Sequence, residues 1–234
     1  MTREVQTLRR QVAEFYRKER VAAGYVAQRY AGAAGQRVAS RELEIVRKLL
    51  PAGGRLLDVA CGTGRLGTAL GRVYEVFGVD LSPAMLRQAQ STGRYRLALG
   101  DAFTLPFASG SFDAVVALRL LFHFSDPEPI LRELARVTCP GGAVVFETSN
   151  WSPRARLALD AAHWGPPVFV HRREHVERLL RRVGLHPQRT VDAFLLSPVL
   201  SRLLPARGAA ALEWLESRLP PSWRCRSYWQ ATVQ

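Results

Sequence analysis

Leu56-Leu57-Asp58-Val59-Ala60-Cys61-Gly62-Thr63-Gly64-Arg65-Leu66-Gly67 is the stretch that decides the fold. An apolar run ends at an aspartate, a glycine-rich turn follows, and a helix start comes next. A doubly wound α/β domain opens its nucleotide site in this way, at the carboxyl end of its first strand. Glycines in such a turn let the backbone approach a ligand and take dihedrals that a β-carbon forbids. The spacing Gly62-x-Gly64-x-x-Gly67 also fits the dinucleotide fingerprint. Asp58, just before the turn, would repel a pyrophosphate and suits a ligand with a positive amino group.

Working outward, strands and helices alternate. Strands are expected at Arg55–Val59, Tyr74–Val79, Tyr95–Ala98, Phe112–Leu118 and Ala143–Thr148. Helices are expected at Gly64–Leu70, Pro83–Gln90 and Asp126–Thr138, with Ser82 capping the second and Pro83 at its first position. Continuous apolar strands spaced by helices imply a mostly parallel sheet buried on both faces. Upstream, residues 3–30 have helical spacing, a Gly-Ala stretch from Tyr30 to Gly35 breaks it, and Ser40 is placed to cap a second helix ending at Pro51. Residues 1–54 therefore read as a helical lid or flank. Downstream, a helix is expected at Arg172–Val183 and strands at Pro187–Leu195 and Arg224–Thr232. Asn150–Val170 and Ser197–Pro221 are irregular insertions. The whole, 1–234, reads as a single domain with its core at 55–149 and a C-terminal half at 150–234.

Two further acids stand at strand ends. Asp80, about 20 residues past the glycine turn, is placed to accept both hydroxyls of a ribose. Asp101, one strand further along the same edge, is placed to accept the exocyclic amino group of an adenine. Each has a plain alternative, a helix cap and a turn aspartate. Three acids at the ends of three successive strands favour the site reading.

These residues, in this order, resemble the class I S-adenosylmethionine (SAM)-dependent methyltransferases, in particular the group containing ubiquinone and menaquinone C-methyltransferases. The resemblance covers roughly Ala39 to Thr148. It continues through Leu105-Pro106-Phe107, Ser111-Phe112-Asp113-Ala114-Val115-Val116 and Leu121-Phe122-His123-Phe124, then Leu131-x-Glu133-Leu134-x-Arg136-Val137 and Pro140-Gly141-Gly142. It implies a seven-stranded Rossmann-like sheet and a SAM cofactor, released as S-adenosylhomocysteine (SAH). Asp58, Ala60 and Cys61-Gly62-Thr63-Gly64 would hold the methionine part. Asp80 would bind the ribose, Leu81 would pack on the adenine, and Asp101 and Ala102 would hold its edge. Leu118 and Arg119 would border the methionine and sulfonium. Arg37 or Arg41 would meet the SAM carboxylate, and Tyr25 and Tyr30 would close over the cofactor. For both groups, solvated arginines and core tyrosines are the alternative. His123 reads either as a general base or as a wall that shapes the pocket. The family often has two histidines here, where this chain has Phe122-His123.

Composition narrows the class. At 234 residues and 47% hydrophobic, the chain can build one substantial core. No apolar run approaches the roughly 20 residues that span a bilayer. Met1–Arg20 is charged and lacks a signal core, so the expected location is the cytoplasm. Cys61, Cys139 and Cys225 lie far apart and form no metal-ligand pair. The formal charge of +13 would attract acidic partners, but the arginines are spread along the chain in short clusters, so nucleic acid is not the favoured target.

The insertions supply Trp151, Trp164 and other aromatics, and with Phe122 these suggest an apolar cover over the acceptor. The expected activity is methyl transfer to an oxygen, nitrogen or carbon nucleophile of a small, largely hydrophobic metabolite. An RNA or protein methyltransferase and a non-catalytic SAM-binding protein are the alternatives. The sequence leaves the oligomeric state and the acceptor open.

Overall fold

The computed structural model describes residues 3–92, 95–151, 165–196 and 206–234. Three helices come first: α1 (Arg3–Tyr16), α2 (Glu19–Tyr30) and α3 (Gly32–Leu49). The core follows as β1 (Arg55–Val59), α4 (Arg65–Leu70), β2 (Glu75–Asp80), α5 (Pro83–Thr92), β3 (Arg96–Leu99) and β4 (Phe112–Ala117). Then come a 3₁₀ turn at Leu121–His123, α6 (Glu128–Val137) and β5 (Thr138–Ser149). The chain closes with α7 (Arg173–Arg182), β6 (Leu185–Ala193), α8 (Ala206–Glu216) and β7 (Arg226–Val233).

The seven strands form one sheet in the order β3-β2-β1-β4-β5-β7-β6. β1 to β5 pair in parallel, and β7 enters antiparallel between β5 and β6. Side chains alternate across each strand, which divides the apolar residues between two layers. Leu57, Val59, Val115, Val144 and Phe146 face a layer that includes α1, α6 and α7. Leu56, Val76, Ala114, Val116 and Val145 face the layer of α3 and α4. The strand order reverses between β1 and β4, where open α/β sheets place their ligand crevice.

Both strands bordering that crevice end in backbone that side chains rarely adopt. Ala60 follows β1 with φ 57°, and Arg119 lies two residues past β4 with φ 55°. Non-glycine residues held in this region store strain of about 1–3 kcal/mol, a common property of ligand sites.

The N-terminal region departs from the expected boundaries. The helical stretch breaks at Arg17-Lys18, giving α1 and α2. α3 begins at Gly32, so Ser40 lies inside it and caps nothing. The expected break falls at Ala31, whose extended backbone ends α2 and starts α3, but the rest of the Gly-Ala run is helical because alanine favours helix, and Gly35 is needed for contact. A β-carbon on Gly35 would lie 2.5 Å from the Tyr30 carbonyl carbon. α1 and α2 lie over the carboxyl edge of the sheet, with Ala22 of α2 packed on Ala84 and Met85 of α5.

Candidate active site

The glycine turn after β1 is locked by close packing. Gly64 caps α4 with φ 77°, and a β-carbon there would sit 1.6 Å from the Tyr95 hydroxyl. Gly62 lies at the cavity with open space beside it. Asp80, at the end of β2, ties this turn to the next. Its Oδ2 accepts from the Gly62 N–H (2.8 Å), and its Oδ1 from the Ser82 N–H (2.9 Å). Burial raises the Asp80 carboxyl, while the Ser82, Gly62 and Leu81 amides work against that rise. An ionised carboxylate has about four acceptor positions, so two backbone bonds leave capacity for ligand hydroxyls.

A cavity opens at the carboxyl edge of the sheet, between the strand ends and the N-terminal helices. Its floor comes from the strand ends: Val59, Ala60, Gly62, Val79, Asp80, Leu81, Gly100, Asp101, Ala102, Phe103, Leu118 and Arg119. Leu120, His123 and Phe124 extend it beyond β4. The roof is α1 and α2. Arg9, Val12, Ala13 and Tyr16 fall at i, i+3, i+4 and i+7, so one face of α1 looks into the cavity, joined by Tyr25 from α2. Ser82 fixes the roof to the floor. Its hydroxyl donates to the Tyr16 carbonyl (2.7 Å) and accepts from the Met85 N–H (3.2 Å), as a capping serine does.

Ala60, Gly62, Asp80, Leu81, Asp101, Ala102, Leu118, Arg119, Tyr25 and His123 thus meet around one cavity. Several expected residues lie elsewhere. Strand alternation sends Asp58 to the opposite face from Val59, beneath the turn. Its Oδ2 is buried with no hydrogen-bond partner, and burial pushes the carboxyl up to about 7, with Arg65 opposing the rise. Cys61 and Thr63 are buried, and with Gly64 they belong to the turn's packing rather than the cavity lining. Burial raises the Cys61 thiol, the state of an inert thiol rather than a nucleophile.

Arg41 does not reach the cofactor cavity. It forms a two-pronged ion pair with Glu216 of α8 and stacks 5.2 Å over Phe194. α3 instead turns the adjacent Glu42 inward, where the buried carboxylate pairs with Arg65 and Arg119. Tyr30 bonds Glu42 at 3.4 Å and is also a core residue. Phe122 is drawn out of the cavity by the 3₁₀ turn, packs under Arg226 at 5.5 Å and leaves His123 and Phe124 as the lining pair. Trp151 is 38% exposed and outside the cavity lining. Trp164 lies outside the described residues.

Sequence reasoning missed Arg9, Tyr16, Phe103 and Met85 as lining residues. The 9-12-13-16 spacing of α1 was the available signal. Arg9 Nε donates to Asp101 Oδ2 (2.6 Å), and its guanidinium stacks 5.3 Å from the Phe103 ring. Asp101 Oδ1 accepts from the Phe103 N–H (2.9 Å). Tyr16 and His123 meet at 3.1 Å between the Tyr16 hydroxyl and Nε2.

Comparison with known proteins agrees with this geometry. Residues 57–146, from β1 into β5, match the family described as "Methyltransferase domain". The chain is 35% identical over 144 residues to a ubiquinone biosynthesis O-methyltransferase of Xanthomonas oryzae pv. oryzae, covering 58% of this chain and 55% of that one. It is 38% identical over 142 residues to a malonyl-[acyl-carrier protein] O-methyltransferase of Halorhodospira halophila, covering 58% and 48%. The chain therefore spans about half the length of the curated relatives it matches. In overall shape it is similar to geranyl diphosphate C-methyltransferase of Streptomyces coelicolor A3(2). The TM-score is 0.69 at 20% identity, over 97% of this chain and 98% of that one.

Proposed function

We propose that this chain transfers a methyl group from SAM to an oxygen, nitrogen or carbon nucleophile of a small, largely hydrophobic metabolite (EC 2.1.1.-). One observation carries the reading. A roofed cavity lies at the reversal point of the sheet, with Asp80 and Asp101 at successive strand ends and mainly apolar walls between them. That donor set fits SAM. Asp80 would take the ribose hydroxyls, Leu81 and Ala102 would enclose the adenine, and Gly62 and Ala60 would let the backbone meet the methionine part. Arg119 provides positive charge for a carboxylate.

SAM brings a methyl group already activated on a sulfonium. The chain's task is alignment and exclusion of water. Val12, Ala13, Leu118, Leu120 and Phe124 line the interior with hydrocarbon, and α1 closes over it. Among the described residues no helix is long and apolar enough to cross a membrane. Arg41, Arg65, Arg119 and Arg226 are engaged with Glu216, Glu42 and Glu147 inside the fold.

Calorimetric titration with SAM, SAH and NADH tests the reading. Micromolar binding of the first two and none of NADH is expected. Absence of SAM and SAH binding would overturn it.

A further inference from the structure

One of the polar contacts between roof and floor has its hydrogen positions fixed by its neighbours. His123 Nδ1 lies 2.8 Å from the Pro167 carbonyl oxygen. A carbonyl only accepts, so Nδ1 carries a hydrogen and donates it. In the neutral ring Nε2 is then the acceptor, and it faces the Tyr16 hydroxyl at 3.1 Å. With Nε2 accepting, the Tyr16 hydroxyl is the donor and sends its hydrogen towards Nε2; the Arg29 guanidinium of α2 interacts electrostatically with Tyr16. Both Tyr16 and His123 line the cavity, and His123 is 2% exposed.

Resting on the methyltransferase reading, we propose that Tyr16 and His123 form a proton relay whose acceptor-facing group is the Tyr16 hydroxyl, and that the acceptor is a hydroxyl compound. The acceptor's O–H proton passes to the Tyr16 oxygen as the Tyr16 proton passes to Nε2. The acceptor oxygen's electron pair forms the new bond to the methyl carbon, and the carbon–sulfur pair stays on sulfur. His123 ends as the imidazolium, still bonded to Pro167, and returns its proton to solvent after product leaves. The balance is acceptor hydroxyl plus SAM giving methyl ether, SAH and one proton.

The chemistry selects an oxygen acceptor. A neutral hydroxyl is a poor nucleophile and gains from losing its proton during attack, whereas a neutral amine attacks with its own lone pair. Arg29 also stabilises negative charge on the Tyr16 oxygen as the proton leaves. The charged and titratable neighbours of the pair are consistent with this role. Arg29 lies 4.8 Å over the Tyr25 ring, Arg119 lies 5.8 Å from the same ring, and Tyr25 meets Tyr16 edge-on at 6.3 Å. Despite burial, the two arginines hold the Tyr25 hydroxyl below its usual range, so positive charge dominates this end of the cavity.

The first test is nitrogen NMR of the protein labelled with ¹⁵N-histidine, with and without SAH. His123 is expected as one neutral tautomer, with hydrogen on Nδ1 and a hydrogen-bonded Nε2 whose signal moves in Tyr16→Phe. A hydrogen on Nε2, or an Nε2 signal indifferent to Tyr16→Phe, overturns the relay whatever the acceptor. With catechol as the probe acceptor, Tyr16→Phe and His123→Gln are each expected to lower kcat about 100-fold or more, recovering at a pH where catechol ionises itself. SAH affinity is expected to stay within about twofold. Unchanged kcat with a raised KM assigns the pair to the pocket wall and overturns the proposal. If SAH fails to bind the wild-type protein, the methyltransferase reading itself fails; if SAH binds and the tautomer is reversed, only the relay fails.

Discussion

Arg9 Nε lies 2.6 Å from Asp101 Oδ2, so α1 is ion-paired to the strand end expected to hold an adenine edge. On the proposed reading, adenine recognition and closure of the roof share one carboxylate. The pair is partly exposed, at 34% and 17% for the two side chains, so it is worth no more than about 1 kcal/mol. Arg9→Gln is expected to speed SAH release by a factor of about three to five, read by stopped-flow fluorescence. An unchanged release rate would show that Arg9 does not restrain the roof.

Asp80 supports both the turn and the cavity. Asp80→Ala removes acceptors for Gly62 and Ser82 as well as those offered to a ribose. It is expected to weaken SAM binding by at least about tenfold, since hydrogen bonds to charged groups contribute roughly 1.5–3 kcal/mol each. The melting temperature should fall as well. Calorimetry paired with a thermal melt checks both, and full SAM affinity in a folded variant would remove Asp80 from the ribose role.

How far the sequence could be read follows from these residues. Asp80 and Asp101 were legible because strand ends and the spacing after a glycine turn fix their position by topology alone. The alternation that sends Asp58 beneath the turn was also legible in principle, since Val59 and Asp58 must face opposite sides. Arg41 was misplaced because the choice between Arg41 and Glu42 as the inward residue depends on the rotation of α3. That rotation is set by Tyr228 and Glu216, far away in the chain. Tyr16 was visible as an apolar helix position, but its partner His123 is 107 residues away. Nothing local to either announces the pair.

Asp58 makes stability depend on pH in an unusual direction. The carboxyl titrates at about 7 in the fold, against roughly 4 in an unfolded chain. Between those values the folded state holds the extra proton, so the Asp58 contribution to stability is most favourable at low pH and falls as pH rises from about 4 towards 7. Asp58→Asn is expected to remove this slope and to stabilise the ligand-free protein at pH 8 by up to about 4 kcal/mol. Urea unfolding at pH 5 and pH 8 checks it; an unaltered pH dependence would show that Asp58 is already ionised.

Gly64 and Tyr95 form a steric pair. Gly64→Ala would place a methyl into the Tyr95 hydroxyl in a backbone region that side chains avoid, costing about 2 kcal/mol or more. The Tyr95 hydroxyl is itself buried with no partner. Tyr95→Phe alone is therefore expected to be neutral or stabilising by about 1 kcal/mol, and to recover part of the loss in the double variant. Chemical denaturation of the four proteins measures the coupling. Strict additivity would remove Tyr95 from the effect.

Ser82 gives the roof a direction of movement. Its hydroxyl pins the Tyr16 carbonyl, at the carboxyl end of α1, to the start of α5. The remaining polar ties nearer the amino end, Arg9 to Asp101 and Glu4 to Ser125, lie nearer solvent. α1 is thus hinged at Tyr16 and latched at Arg9. Loss of the latch would free the Asp101 end first and leave Tyr16 against His123. On the proposed reading, spent donor would leave through one door while the groups that meet the acceptor stay in place behind another.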